Sequence, residues 1–150
     1  MLSRLLKVAA LALAFAAPAG AEEGAAEIRI LSAWARATPG PTAAAYLELR
    51  NDGGEADRLI GASSPLAERI EFHAHRMADG VMSMAAVPEI ALPPREAVRL
   101  RPGELHLMLL RIAHALQPGD RFPLTLTFER AGTVTVEAVT AAPGAVQPPS

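Results

Sequence analysis

An all-β fold, a Greek-key sandwich, is predicted by three features of the 150-residue chain. Alternating or apolar runs of β-forming residues recur along it, turn formers separate them at short intervals, and no amphipathic segment of helical period reaches about ten residues. The strands are expected, in order, at 27–35, 44–51, 57–63, 67–77, 81–87, 97–101, 105–112, 121–129 and 133–139. Between them lie Thr38-Pro39-Gly40-Pro41, Asn51-Asp52-Gly53-Gly54, Asp79-Gly80, Pro93-Pro94, Arg101-Pro102-Gly103, Pro118-Gly119-Asp120 and Ala131-Gly132. These residues turn the chain for separate reasons: proline presets φ, glycine supplies positive φ, and Asn or Asp bonds its own backbone. The last two strands, Pro123 to Phe128 and Thr133 to Val136, alternate cleanly and read as a hairpin with one apolar face. There is no internal repeat and no second domain.

The ends fall outside this pattern. Arg4 and Lys7 precede an apolar run from Val8 to Ala17, and Ala19-Gly20-Ala21 supplies small residues for cleavage, so residues 1–21 read as a secretory signal peptide. That run is far shorter than the roughly 20 residues a membrane-spanning helix needs, so no membrane insertion is expected. The domain is placed at 22–140, and the Pro/Gly/Ala-rich stretch 141–150 reads as a flexible tail. Without the leader, 12 arginines face 16 acidic residues, a net charge of −4, which gives no field for nucleic acid. Lys7 is the single lysine, so the exported chain has no Schiff-base chemistry. Absence of cysteine removes disulfides, thiolate metal sites and cysteine nucleophiles together.

What remains for chemistry is sulfur and imidazole. Beyond the leader the chain has four methionines, Met77, Met82, Met84 and Met108, and four histidines, His73, His75, His106 and His114. Seven of these eight lie between His73 and Met108. A lone methionine is ordinarily core filler, but thioether beside imidazole forms a soft, neutral donor set suited to a cuprous ion. Strand alternation puts His106 and Met108 on one face and Leu105, Leu107 and Leu109 on the other. Likewise Ile70, Phe72 and Ala74 should face the core, leaving His73, His75 and Met77 opposite. A two-residue turn at Asp79-Gly80 would pair Met82 with Met77 and Met84 with His75, and a three-residue turn would destroy that register. For His75, Met77 and Met82, an ordinary sheet-face role and an auxiliary metal role stand level. Trp34 is expected in the core and His114 in an exposed loop, while Arg99, Arg101 and Arg111 read as the solvated face of their strands.

The spacing His73, ten residues, Met84, twenty-one residues, His106, one residue, Met108 resembles the motif of the periplasmic copper chaperone family PCuAC. The surrounding segments Ala33-Trp34-Ala35-Arg36-Ala37-Thr38-Pro39, Gly61-Ala62-Ser63-Ser64-Pro65, Leu100-Arg101-Pro102-Gly103 and His106-Leu107-Met108-Leu109 are similar too, so the likeness spans about Leu31 to Val139. The resemblance implies a cupredoxin-like, immunoglobulin-like sandwich that binds one Cu(I) through His73, Met84, His106 and Met108. It further implies delivery to the copper-acceptor subunit of cytochrome c oxidase, alongside a Sco-type thiol protein. The tail lacks the His- and Met-rich extension of some relatives. Because imidazole must be neutral to ligate, copper affinity is expected to fall as pH drops through the histidine range, near 6.5.

Other classes stay open at this stage. No Gly-x-Ser-x-Gly elbow, P-loop or His-Glu-x-x-His is present, so no enzyme is expected. An exported interaction module would fit the fold and need nothing from the His/Met cluster, and a periplasmic copper buffering or resistance protein would use it differently. Nothing in the sequence demands more than a monomer.

Overall fold

The computed structural model describes residues 27–150, so the signal peptide read at 1–21 lies outside the described residues. Ten strands follow one another: β1 (Ile28–Arg36), β2 (Thr42–Asn51), β3 (Asp57–Ser63), β4 (Ala67–Ala78), β5 (Val81–Val87), β6 (Ile90–Leu92), β7 (Ala97–Leu100), β8 (His106–Ile112), β9 (Arg121–Phe128) and β10 (Gly132–Ala141). Among the described residues there is no helix, and so none long and apolar enough to cross a membrane.

The strands form one hydrogen-bonded order, β5-β4-β8-β2-β1-β10-β9-β3-β6, with β7 also paired to β2. All pairings are antiparallel except β1 with β10. The sheet folds back on itself, because the leucines that alternation sends to one face need an apolar partner layer. Leu47 and Leu49 of β2, Leu107 and Leu109 of β8 and Phe72 of β4 meet Leu59 of β3, Leu92 of β6 and Leu124, Leu126 and Phe128 of β9 in one buried cluster. The result is the expected all-β sandwich.

Two large apolar side chains that escape the core have a local cause. The register slips between Ile30 and Ser32 and again between Leu59 and Gly61, and the residues in those slips, Leu31 and Ile60, point outward. β6 was not foreseen. Its three residues lie between Pro88 and Pro93, too short a run to show alternation, yet Ile90 and Leu92 are buried against β3.

The outward face of β1 and β2 carries a second, smaller core. Trp34 and Tyr46, cross-strand partners, pack with ring centroids 4.6 Å apart and planes tilted by 42°, and Ala141, Ala44 and Ala145 pack on them. Trp34 is therefore buried as expected, but in this satellite cluster. The stretch read as a flexible tail from residue 141 instead begins as strand, because Ala141 extends β10 and is buried. Arg36 Nε then donates to the Ala145 carbonyl at 2.8 Å, tying the following turn to the same face.

Candidate metal centre

The site is organised by the β4–β5 hairpin. Asp79 and Gly80 both have positive φ, 52° and 76°, which is the signature of a two-residue type I′ turn whose twist matches the strands it joins. The sequence Asp-Gly suits it because aspartate tolerates and glycine readily adopts this region. The register that follows pairs Ala78 with Val81, Met77 with Met82, His75 with Met84 and His73 with Ala86. Ala78 and Val81 close the turn as a hydrogen-bonded pair, so Met77–Met82 and His75–Met84 fall at non-hydrogen-bonded positions, where facing side chains approach most closely. On its other edge β4 meets β8, pairing His73 with His106 and Glu71 with Met108. Glu71, His73, His75, Met77, Met82, Met84, His106 and Met108 consequently share the face turned away from the leucine core.

At the centre are two imidazoles whose hydrogen bonds fix which nitrogen is free. His106 is buried, and its Nδ1 donates to the Glu104 carbonyl at 2.8 Å, which leaves the lone pair on Nε2. His73 Nε2 lies 2.9 Å from the Glu71 carboxylate. A carboxylate only accepts, so Nε2 carries the hydrogen and Nδ1 keeps the lone pair. That Nδ1 is buried and has no hydrogen-bond partner. A buried acceptor left unpaired costs on the order of 1–3 kcal/mol, a cost that a bound cation would relieve. The rings of His73 and His106 lie 5.8 Å apart, and that of His75 lies 5.4 Å from His106.

Electrostatics favour a neutral His106 beside an ionised Glu71. Burial, the largest influence, holds the His106 imidazole below its ordinary pKa, assisted by the neighbouring His75 and His73 and opposed by the Glu104 carbonyl. The hydrogen bond from His73, reinforced by Arg69, holds the Glu71 carboxyl below the usual carboxylate range despite partial desolvation. Glu71 thus stays an acceptor, and an anchored carboxylate behind a ligating histidine is how metal sites orient the ring. Sequence reasoning missed Glu71. The signal was available, since a residue two before His73 on a strand shares its face.

The thioethers occupy unequal positions. Met108 is partly buried and faces Ala44 of β2, beside the Trp34–Tyr46 cluster. Met84 is exposed on β5, two strands from β8 and, because it pairs with His75 whereas His106 pairs with His73, one rung along, so its backbone is about 12 Å from that of His106 at ordinary strand spacing. It points away from the leucines, and its long side chain must reach across β4 to join the others. Met77 and Met82 are the exposed rung nearest the turn. Among the described residues no three His, Asp or Glu side chains converge to hold a metal on their own, so a centre on this face depends on sulfur. His114 is exposed, as expected, and not part of the group; Arg99 and Arg111 pair with Glu48 and Glu68 on the surface.

Comparison with known proteins identifies the family of the fold. A family profile described as "LpqE-like: Putative lipoprotein LpqE-like" matches residues 28–140. The putative lipoprotein Lxx21020 of Leifsonia xyli subsp. xyli (strain CTCB07) is 27% identical over 110 residues, covering 73% of this chain. The aligned region spans 66% of that relative, just under two thirds of its length. Among solved structures, the apo PCuAC domain of PmoF2 is 34% identical with a TM-score of 0.67, covering 80% of this chain and 94% of that one. The copper-bound PCuAC domain from PmoF2 is 32% identical with a TM-score of 0.67, covering 77% and 93%. The Cu(I) form of DR1885 from Deinococcus radiodurans is 28% identical with a TM-score of 0.60, covering 73% and 75%. With a profile match across nearly the whole described domain and this likeness to solved PCuAC domains, the chain belongs to the LpqE-like, PCuAC family of cupredoxin-like β domains.

Proposed function

We propose that the protein is an exported, non-catalytic copper chaperone that carries one Cu(I) on the β4–β5–β8 face. The ligands are His73 through Nδ1, His106 through Nε2, and the thioethers of Met84 and Met108. One observation carries the reading: the buried His106 imidazole and the half-buried His73 imidazole face each other, each with one nitrogen already hydrogen-bonded and the other free, and the free nitrogen of His73 is an unpartnered buried atom. The copper-bound relatives give the cargo its identity.

The donor chemistry suits carriage. Thioether and neutral imidazole bring no charge, so a monovalent soft ion is favoured over hard divalent competitors. No proton has to leave a thioether before it binds, and no thiolate bond has to break for release. The copper is cargo, handed on by exchange of ligands with its oxidation state unchanged. We propose the periplasm as the compartment and the copper-acceptor subunit of cytochrome c oxidase as recipient, with a Sco-type thiol protein in the same route and this chain acting as a monomer.

An anaerobic Cu(I) titration against a competing chelator tests the site. In competition with the chelator one tightly held Cu(I) per chain is expected, and that tight binding should be lost in His73→Ala, Met84→Leu, His106→Ala and Met108→Leu. The Leu variants keep apolar volume at a folding cost usually below about 1.5 kcal/mol, so loss of affinity with retained melting assigns sulfur to the metal. Undiminished binding in all four variants would overturn the site. Mixing the loaded chain with the apo copper-acceptor domain tests delivery separately, and copper that stays on the chain refutes that recipient.

A further inference from the structure

We infer a second, outer Cu(I) site at the tip of the β4–β5 hairpin, built from the Met77–Met82 thioether pair with His75, through which the ion reaches and leaves the inner ligands. The inference rests on the copper reading above and extends it to residues outside the four-residue motif.

The first observation is exposure. Met77 and Met82 are 63% and 59% exposed, and Met84 53%. Methionine gains nothing from packing when its side chain lies in water, so these three cannot be explained as core filler. Of the seven large hydrophobic side chains found exposed among the described residues, four, Met77, Val81, Met82 and Met84, crowd this single hairpin.

The second observation is register. Met77 and Met82 are direct cross-strand partners at a non-hydrogen-bonded position, which sets their Cβ atoms about 4.5–5.5 Å apart on one face. Two flexible thioethers at that separation close readily on one ion. The next rung on the same face, about 7 Å along the strands, is His75–Met84. The His75 ring is in turn 5.4 Å from that of His106. Soft donors therefore follow one another from the turn to the buried His106 imidazole without an interruption longer than one rung. Arg76 and Ser83, paired between the two rungs, point to the opposite face and place no cation or hydroxyl on the path. Cu(I) passes by forming a bond to the next sulfur or nitrogen as it releases the last, with no electron or proton transferred.

The test uses the chain labelled with carbon-13 at its methionine ε-methyl groups and titrated with Cu(I) under anaerobic conditions. In the wild type the Met84 and Met108 methyl signals should shift with the first equivalent and those of Met77 and Met82 with the second. In His106→Ala/Met108→Leu, where the inner ligands are removed, Met77 and Met82 should respond first. In Met77→Leu/Met82→Leu the inner affinity should remain. Transfer of copper to a chelator should then slow by at least about tenfold, the scale on which one metal-directed side chain counts. Because leucine keeps the apolar surface, this variant separates ligation from mere hydrophobic docking. Met77 and Met82 signals that stay fixed in both backgrounds, or an unchanged transfer rate in the double variant, overturn the outer site. Failure of the inner site shows differently, as Met84 and Met108 methyls that never shift.

Discussion

Removing the Glu71 carboxylate tests whether the centre is held in readiness by its surroundings. Glu71 accepts from His73 Nε2 at 2.9 Å and so keeps the Nδ1 lone pair turned to the buried side. In Glu71→Ala the ring loses that partner, both tautomers become accessible, and the orientation must be fixed at the moment of binding. Loss of such an outer partner ordinarily weakens metal binding by about 10–100-fold, equivalent to about 1.4–2.7 kcal/mol. The fold should hardly notice, because the side chain is 31% exposed and its partnership with Arg69 is a surface ion pair, screened by solvent and weak in its effect on stability. Glu71→Gln should fall between, since its amide oxygen still accepts but without the charge that roughly doubles such a bond. The assay is Cu(I) competition on the three proteins, together with apo-protein melting and the nitrogen-15 shifts of the His73 ring. A purely structural residue would lower melting and leave the ring shifts alone. Should Glu71→Ala bind Cu(I) as tightly as wild type, the reasoning from the unpaired Nδ1 is wrong.

Three further outcomes follow from the fold. Leu107, fully buried between His106 and Met108, is expected to cost about 2–5 kcal/mol on truncation to alanine, read as a lower denaturation midpoint. Gly80→Val places a β-branched residue at a φ of +76°, where an L side chain costs about 1–2 kcal/mol; amide exchange should quicken in β5 while the β2–β8 pairing stays protected, and equal protection throughout would show the turn to be unstrained. Asp52 is held below its usual pKa by Arg29, its largest influence, and by Arg50. A carboxyl depressed on folding contributes stability above its unfolded value, near 3.8, and loses it as pH falls toward the folded value. Asp52→Asn should therefore be less stable than wild type at neutral pH, with the gap closing in acid, and a gap independent of pH would count against this linkage.

Much of the site was legible because a strand has period 2. Once β4 and β8 are recognised, the faces of His73, His75, His106 and Met108 follow without knowledge of the rest of the fold. The Asp79-Gly80 turn then decides everything about β5, and the observed His75–Met84 pairing is the register a two-residue turn imposes. What could not be read were facts set by the neighbouring layer. Which strand lies beside β4 on its other edge is a matter of long-range pairing, so the approach of His73 to His106 had no local signal. β6 was hidden by its brevity between prolines, and the engagement of the C-terminal stretch depends on the Trp34–Tyr46 surface that only the assembled sheet presents.

One consequence lies in the position of β5 at the end of the sheet order. Of the three strands that carry donors, β4 and β8 are each paired on both sides, whereas β5 has β4 alone among the described residues. The imidazoles and Met108 thus stand on a wall seamed on both sides, and Met84 hangs on a flap fastened along one seam. Parting that seam costs a few exposed backbone bonds, and parting the wall costs the leucine core behind it. On the proposed function, a docking protein that tugged on the flap would loosen the Met84 bond to the ion at small cost, and the fold itself need not yield.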